Sequence, residues 1–306
     1  MESNRWGIIY SGGKRLNHYK HWIEIQEYIE KKYIQYDLIQ SSGTGSVERL
    51  TRMLCDNGYH TIVLVGNDTS LNESLNAIMT SGDLPEDFCF GLFPIGYSND
   101  FARFWDVSEE DYKHTVDAII AHRTKRIDVG YVVYTDEDNV PHQRYFLNCV
   151  NIGLGARLVD ATETFTRLTG SKQLSMIPTS IMNIFEQRSF RVTMRADAED
   201  IEQDVLSICI GNCHGYGQTP NAVPYNNHLD MSIITRPKAS QWFKGFYLLG
   251  KGRFLNYENV HPYRLEKIAF DDISKAKVSL DGCLLNEKQL TPMRIGIEGA
   301  ALNFVI

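Results

Sequence analysis

The sequence predicts an α/β protein in two parts, a doubly wound parallel sheet followed by a mainly β sandwich. Three observations predict it. Short apolar runs alternate with helix-period segments in the first part, and each run ends in a small polar loop. From about residue 125 onward, strand-like runs follow one another mainly through turns. A length of 306 residues suits two cores better than one.

The runs 6–10 (WGIIY), 35–40 (QYDLIQ), 61–65 (TIVLV) and 90–95 (FGLFPI) read as buried strands. Between them, Trp22, Ile25 and Ile29 mark one helix face, and Val47, Leu50, Thr51 and Leu54 a second, which Gly58 can cap. Leu71, Leu75, Ile78 and Met79 mark a third, and a further helical stretch covers 111–122. Beyond it, 126–135, 144–151, 190–196, 205–212, 231–236, 277–280 and 293–297 read as strands, with a hairpin loop at 135–139. Two helical stretches, 157–187 and 240–256, interrupt them. There is no internal repeat and no low-complexity tract.

The formal charge of −7 argues against an electrostatic grip on nucleic acid over the whole surface. The six cysteines, Cys55, Cys89, Cys149, Cys209, Cys213 and Cys283, show no zinc or C-x-x-C spacing and read as reduced, mostly buried thiols. The opening residues lack signal-peptide organisation, and no apolar run reaches the roughly 18–20 residues of a membrane span. A cytoplasmic protein is expected.

In a doubly wound sheet, ligands sit beyond the carboxyl ends of the strands. The four loops there are Ser11-Gly12-Gly13-Lys14, Ser41-Ser42-Gly43-Thr44-Gly45, Gly66-Asn67-Asp68-Thr69-Ser70 and Gly96-Tyr97-Ser98-Asn99-Asp100. Backbone amides at such turns, with the free N–H groups opening the next helix, suit phosphate. Asp68 among those amides calls for a bridging cation, for which Mg²⁺ is the natural choice. Asp68 equally suits a helix cap, and Glu73 a first-turn carboxylate complementing the helix dipole.

These residues resemble the diacylglycerol and sphingosine kinase family of lipid kinases. Val65-Gly66-Asn67-Asp68-Thr69-Ser70-Leu71-Asn72-Glu73 is similar to that family's G-G-D-G-T-x-N-E phosphate loop, and Pro94-Ile95-Gly96-Tyr97-Ser98-Asn99-Asp100-Phe101-Ala102-Arg103 to its P-x-G-T-x-N-D-F-A-R segment. The resemblance continues through Arg126-Ile127-Asp128-Val129-Gly130, Asn148, Gly153-Leu154-Gly155, Gly211-Asn212, Gly215, Gly217, Pro220, Leu280-Asp281-Gly282 and Thr291-Pro292. It implies a fold like that of NAD kinase and diacylglycerol kinase. The nucleotide-binding α/β domain would span 1–124, a β-rich lipid-substrate domain 125–295, and about 296–306 would return to the first domain.

The resemblance also implies transfer of the ATP γ-phosphoryl group to a lipid hydroxyl of diacylglycerol, ceramide or long-chain-base type. It assigns Ser42, Gly66, Asn67, Asp68, Ser70, Asn72, Glu73, Gly96, Tyr97, Asn99, Asp100 and Arg126 to the nucleotide. Asp68 would hold Mg²⁺ through water, and Asp68 and Asp281 would serve the chemistry. Expected partners are a lipid substrate and the inner membrane surface, by peripheral contact, with no nucleic acid and with a homodimer as the assembly left open. Apolar residues in 157–187 and 240–256 are candidates for the lipid slot, although core packing accounts for most of them. Lys238, Lys244, Lys251 and Arg253 could meet anionic headgroups.

The departures fall where the chemistry should be. Asn67 and Thr69 stand where the loop has glycines, at positions expected to want close approach or positive φ. Tyr97 puts a bulky ring where the nucleotide cleft has threonine. Asn226-Asn227-His228-Leu229-Asp230 stands for D-G-x-x-D, and Asp281-Gly282-Cys283 for D-G-E, replacing the expected base with a thiol. His214 and His228 are substitute bases to weigh against ordinary structural histidines. The competing reading is therefore a catalytically degenerate homologue that binds lipid or nucleotide, or scaffolds a lipid-synthesis enzyme. NAD kinase shares the loop type, but the 99–103 segment resembles the lipid enzymes.

Overall fold

Trp6–Tyr10 is an unbroken apolar run, and all five residues are buried in strand β1. The computed structural model describes residues 5–12, 16–43, 45–82, 84–96, 99–169 and 189–306. They form two units, Met1–Val129 with Gly299–Ile306, and Gly130–Glu298.

In the first unit, β1 leads to α1 (Leu16–Lys31), β2 (Tyr36–Gln40), α2 (Ser46–Asp56), β3 (Thr61–Gly66), α3 (Asp68–Met79), β4 (Cys89–Pro94), α4 (Asp100–Phe104) and α5 (Tyr112–Ile120). The strands pair in parallel in the order β2-β1-β3-β4. β1, β3 and β4 are buried throughout, as continuous apolar strands covered on both faces must be. Ile8 faces a cluster holding Trp22, Ile25 and Ile29 of α1 and Val116 and Ile119 of α5. Its neighbour Gly7 faces the other side, where a Cβ would meet the methyls of Leu54 on α2. Alternation along one strand thus seats helices on both faces.

The winding direction reverses between β1 and β3, which makes the ends of those two strands the switch point where ligands bind in such sheets. Beside β4, Phe304 pairs in parallel with Phe90 and packs its ring against Phe90 and Phe101.

The second unit takes in the later part of β5 (Thr124–Thr135), then β6 (Pro141–Phe146), β7 (Cys149–Gly153), α6 (Leu154–Thr169), β8 (Phe190–Ala196), β9 (Glu199–Val205), β10 (Ser207–Gly211), β11 (Leu229–Ile234), α7 (Trp242–Gly250), β12 (Val260–Leu265), β13 (Ile268–Asp272), β14 (Val278–Leu280), β15 (Cys283–Leu284) and the start of β16 (Met293–Val305). One antiparallel sheet runs β12-β11-β10-β7-β14-β15. A second is built on β16-β13-β8-β9, and β5 pairs with β6 and β16. Period-2 residues from both sheets, among them Val192, Met194, Ile208, Ile210, Met231, Ile233, Phe270 and Met293, share one core.

Several elements differ from the sequence reading. The run 144–151 is two strands, because the amides of Leu147 and Asn148 leave the ladder for the carboxylate of Asp281. β9, β12, β13 and β15 escaped notice: β9 is acid-rich, and β12 carries Pro262, which an edge strand tolerates. The stretch 157–187 begins as α6, and its portion 170–187 lies outside the described residues.

Candidate functional site

The loop before α2 turns at Gly45, whose φ of 75° is open to glycine and strained for most side chains. The carboxylate that meets this helix start comes from α3. Glu73 is 9% exposed; its Oε1 accepts the Gly45 N–H at 3.0 Å and its Oε2 the Val47 N–H at 3.1 Å. A negative charge there also answers the helix dipole. Ser46 Oγ accepts the N–H groups of Ser42 and Gly43, each at 3.2 Å, and Ser42 itself is exposed.

In the next loop the helix cap is Asn67. Its Oδ1 accepts the Ser70 N–H at 3.2 Å, and Ser70 Oγ accepts the Asn67 N–H at 2.9 Å, a reciprocal capping box. Asn67 is extended (φ −119°) and Thr69 lies within α3, so neither position needs glycine. The expected clash at positive φ does not arise. Gly66 does need its missing side chain, because a Cβ would collide with Ser70 Oγ.

Asp68 is therefore relieved of capping. It is 2% exposed, and its Oδ2 accepts the Asp100 N–H at 2.9 Å, fastening the start of α3 to the start of α4. Asn72 is buried within α3, where Asn76 Nδ2 donates to its carbonyl and its Oδ1.

Gly96 adopts φ 88°, and its carbonyl accepts from Asn99 Nδ2 at 3.1 Å. Asp100 opens α4 and lies 3.6 Å from Arg103. Tyr97 lies outside the described residues. Arg126, on β5, donates from Nε to the Ala300 carbonyl at 3.0 Å, while Asp128 accepts the Ala300 N–H at 2.8 Å.

The first unit thus brings Gly66, Asn67, Asp68, Ser70, Asn99 and Asp100 together across the β3 and β4 loops, and Glu73 joins the second loop to them. Arg126 is bonded to the last strand. Two residues at the same strand ends were not anticipated. His18 Nδ1 lies 3.2 Å from the Gly12 carbonyl, and its Cε1 is 3.6 Å from where a Gly96 Cβ would stand. Tyr10 closes β1, and burial, then neighbouring Tyr19, push its phenol up. His18 had a signal, since it falls in the helix that follows the Ser11-Gly12 loop.

In the second unit Asp281 is buried in a left-handed turn (φ 47°). Its carboxylate accepts three N–H groups, from Leu147 at 2.8 Å and from Asn148 and Cys149 at 2.9 Å each. Asn148 Oδ1 in turn accepts the Gly215 N–H, and Asn212 Nδ2 donates to the Leu147 carbonyl. Asp281 organises this turn with the lone pairs a general base would use. Asp230 forms a two-pronged ion pair with Arg264, directly across the strands β11 and β12, and the pair lines a cavity of about 380 Å³. His228 Nδ1 contacts the Asn226 carbonyl at 2.7 Å and steadies that turn.

Among the described residues, no group of three or more His, Cys, Asp or Glu side chains is placed to hold a metal ion. Magnesium commonly takes one or two carboxylates and completes its shell with water and phosphate oxygens. The buried Asp68 at the carboxyl ends of the strands fits that pattern. The phosphate seat fits less well, because the Ser70 amide and hydroxyl are engaged by Asn67, and the Gly45 and Val47 amides by Glu73.

Comparison with known proteins agrees with the fold. The diacylglycerol kinase catalytic domain matches residues 8–132, and the YegS C-terminal NAD kinase beta sandwich-like domain matches residues 148–306. A protein of Alcanivorax borkumensis named "Probable lipid kinase YegS-like" is 27% identical over 195 residues, covering 62% of this chain and 60% of that protein, so the chain spans less than two thirds of it. The diacylglycerol kinase of Bacillus subtilis is 19% identical over 269 residues, covering 86% of this chain and 84% of that one. The crystal structure of a diacylglycerol kinase from Bacillus anthracis superposes with a TM-score of 0.68 at 13% identity, covering 100% of this chain and 97% of the other.

Proposed function

Because the chain belongs to the lipid-kinase family that joins a diacylglycerol kinase catalytic domain to a YegS-type β-sandwich domain, we propose that it transfers the γ-phosphoryl group of ATP to a lipid hydroxyl. The acceptor class is diacylglycerol, ceramide or long-chain base. The observation that carries this reading is Asp68, a buried carboxylate held by the Asp100 amide where the β3 and β4 loops meet. ATP would supply the phosphoryl group, and Asp68 would hold magnesium, which would supply charge neutralisation. Gly66, Asn99 and Asp100 shape the nucleotide's seat.

The test is incubation of the purified chain with labelled ATP, Mg²⁺ and each acceptor in mixed micelles. Labelled phospholipid that disappears in Asp68→Asn is the expected result. No label with any of the three acceptors would reject the reading.

A second reading rests on the capping box. With Asn67 occupying the Ser70 amide and Asp281 committed to three backbone N–H groups, the chain would be a catalytically silent homologue that binds lipid or nucleotide. Calorimetry with Mg·ATP separates the two: a silent chain that binds nucleotide shows heat without turnover, and a closed seat shows neither.

A further inference from the structure

Helix α7 is apolar on both of its faces. Trp242, Leu248 and Leu249 pack against a small core of Leu206, Ile234, Phe254, Tyr257 and Val260. Gly245 lets the helix settle there, because a Cβ would press on the Tyr257 ring at 2.9 Å. The opposite face carries Phe243 (84% exposed), Phe246 (46%) and Tyr247 (64%). Their spacing of three and four residues makes one aromatic stripe. No other helix or strand of the described residues presents three exposed large apolar side chains. A helix apolar all round is stable only when something covers its outer face.

The charge around the stripe says what covers it. Residues 236–258 hold five basic side chains, Arg236, Lys238, Lys244, Lys251 and Arg253, and one acidic, Glu258. That is a local excess of four positive charges in a chain of formal charge −7. All five basic residues are exposed, and Lys244 lies 3.6 Å from Glu258. Lys238 precedes the helix and Lys251 and Arg253 follow it, so cations bracket an aromatic segment about 14 Å long at 1.5 Å per residue. Aromatic rings between basic ends suit the boundary of an anionic bilayer, where rings enter the headgroup layer and cations meet lipid phosphates. No described helix is long and apolar enough to cross a membrane.

We propose that α7 is a membrane-docking helix that lies in the surface of an anionic bilayer with Phe243, Phe246 and Tyr247 inserted and Lys238, Lys251 and Arg253 against the headgroups. The choice of a bilayer over a protein as the occupant rests on the lipid-kinase reading; the docking measurement itself needs no turnover.

The full chain is sedimented with unilamellar vesicles of equimolar phosphatidylglycerol and phosphatidylcholine, and with phosphatidylcholine vesicles alone, in the absence of nucleotide. Partitioning onto the anionic vesicles is expected. It should fall at least about tenfold in Phe243→Ser/Tyr247→Ser, which removes two inserted rings, and at least about fivefold in Lys251→Glu/Arg253→Glu. It should also weaken when added salt shortens the Debye length from about 10 Å to about 3 Å. All four substitutions are at exposed positions, and circular dichroism verifies that the variants fold. Absence of partitioning, or partitioning unchanged in both double variants, would overturn the proposal. So would a dimer, seen by light scattering, that Phe243→Ser/Tyr247→Ser abolishes while vesicle binding persists, since a second copy would then be the occupant. Turnover on a short-chain, water-soluble diacylglycerol keeps the outcomes apart. Turnover without partitioning rejects the docking helix and leaves the kinase standing, and partitioning without turnover does the reverse.

Discussion

The Oδ2 atom of Asp68 accepts the backbone N–H of Asp100 at 2.9 Å, so the carboxylate proposed to serve magnesium also sets the distance between two loops. Asp68→Asn keeps an oxygen for that N–H while removing the charge. Stability should change by about 1 kcal/mol or less, while turnover falls by at least about 10²-fold. Asp68→Ala leaves the Asp100 amide without this acceptor and should cost about 1–3 kcal/mol. Urea denaturation beside a turnover assay separates the two effects.

Asn67→Gly removes the side chain that occupies the Ser70 amide. Replacing a cap by glycine costs a few tenths of a kcal/mol, whereas Asn67→Ala should cost about 1 kcal/mol. If the capping box competes with phosphate, Mg·ATP should bind more tightly to the glycine variant in calorimetry. Equal or weaker binding would show that the cap and the nucleotide do not compete.

Glu73 serves α2 with both oxygens. In Glu73→Gln the new NH₂ group confronts an N–H where an oxygen stood. The expected loss is about 1–3 kcal/mol, read as a lower denaturation midpoint with an unchanged slope.

Asp281→Asn cannot satisfy three N–H donors with its single oxygen. Amide hydrogen exchange at Leu147, Asn148 and Cys149 should accelerate together, and stability should fall by about 2 kcal/mol or more. A variant that loses turnover with these amides still protected would assign Asp281 a direct role in the chemistry.

The hairpin joining β5 and β6 carries an acid-sensitive contact. A hydrogen bond from His142, then the Val140 and Asp138 amides, hold the Asp136 carboxyl below the usual carboxylate range. With its folded pKa depressed, its contribution is present above the unfolded value of about 3.9 and is lost as pH falls through the lower folded one. Carbon chemical shifts of Asp136 should therefore titrate below about pH 3.9, together with fraying of the hairpin. Asp136→Asn should remove that acid limb.

The fold was largely legible because its signals are local. Apolar runs such as TIVLV and helix-period residues such as Trp22, Ile25 and Ile29 read directly as β3 and as the buried face of α1. Polar or proline-bearing strands such as β9 and β12 lacked that signal. At the site, a loop rich in Gly and Ser does not reveal where its helix begins, so the sequence alone points to a clash at Asn67. With the helix starting at Asp68, Asn67 is an ordinary extended cap.

The sequence by itself determined the strand–helix alternation, the parallel sheet, the loops at its carboxyl ends and the family, since each is written in neighbouring residues. Only the tertiary structure decided which amide each carboxylate meets. Glu73 reaches Gly45 across 28 positions, Asp68 reaches Asp100 across 32 and Asp281 reaches Leu147 across 134. Hydrogen bonds between distant segments leave no local periodicity to read. The same holds for α7, whose apolar sequence reads as core until packing turns Trp242, Leu248 and Leu249 inward and leaves Phe243 and Tyr247 facing out.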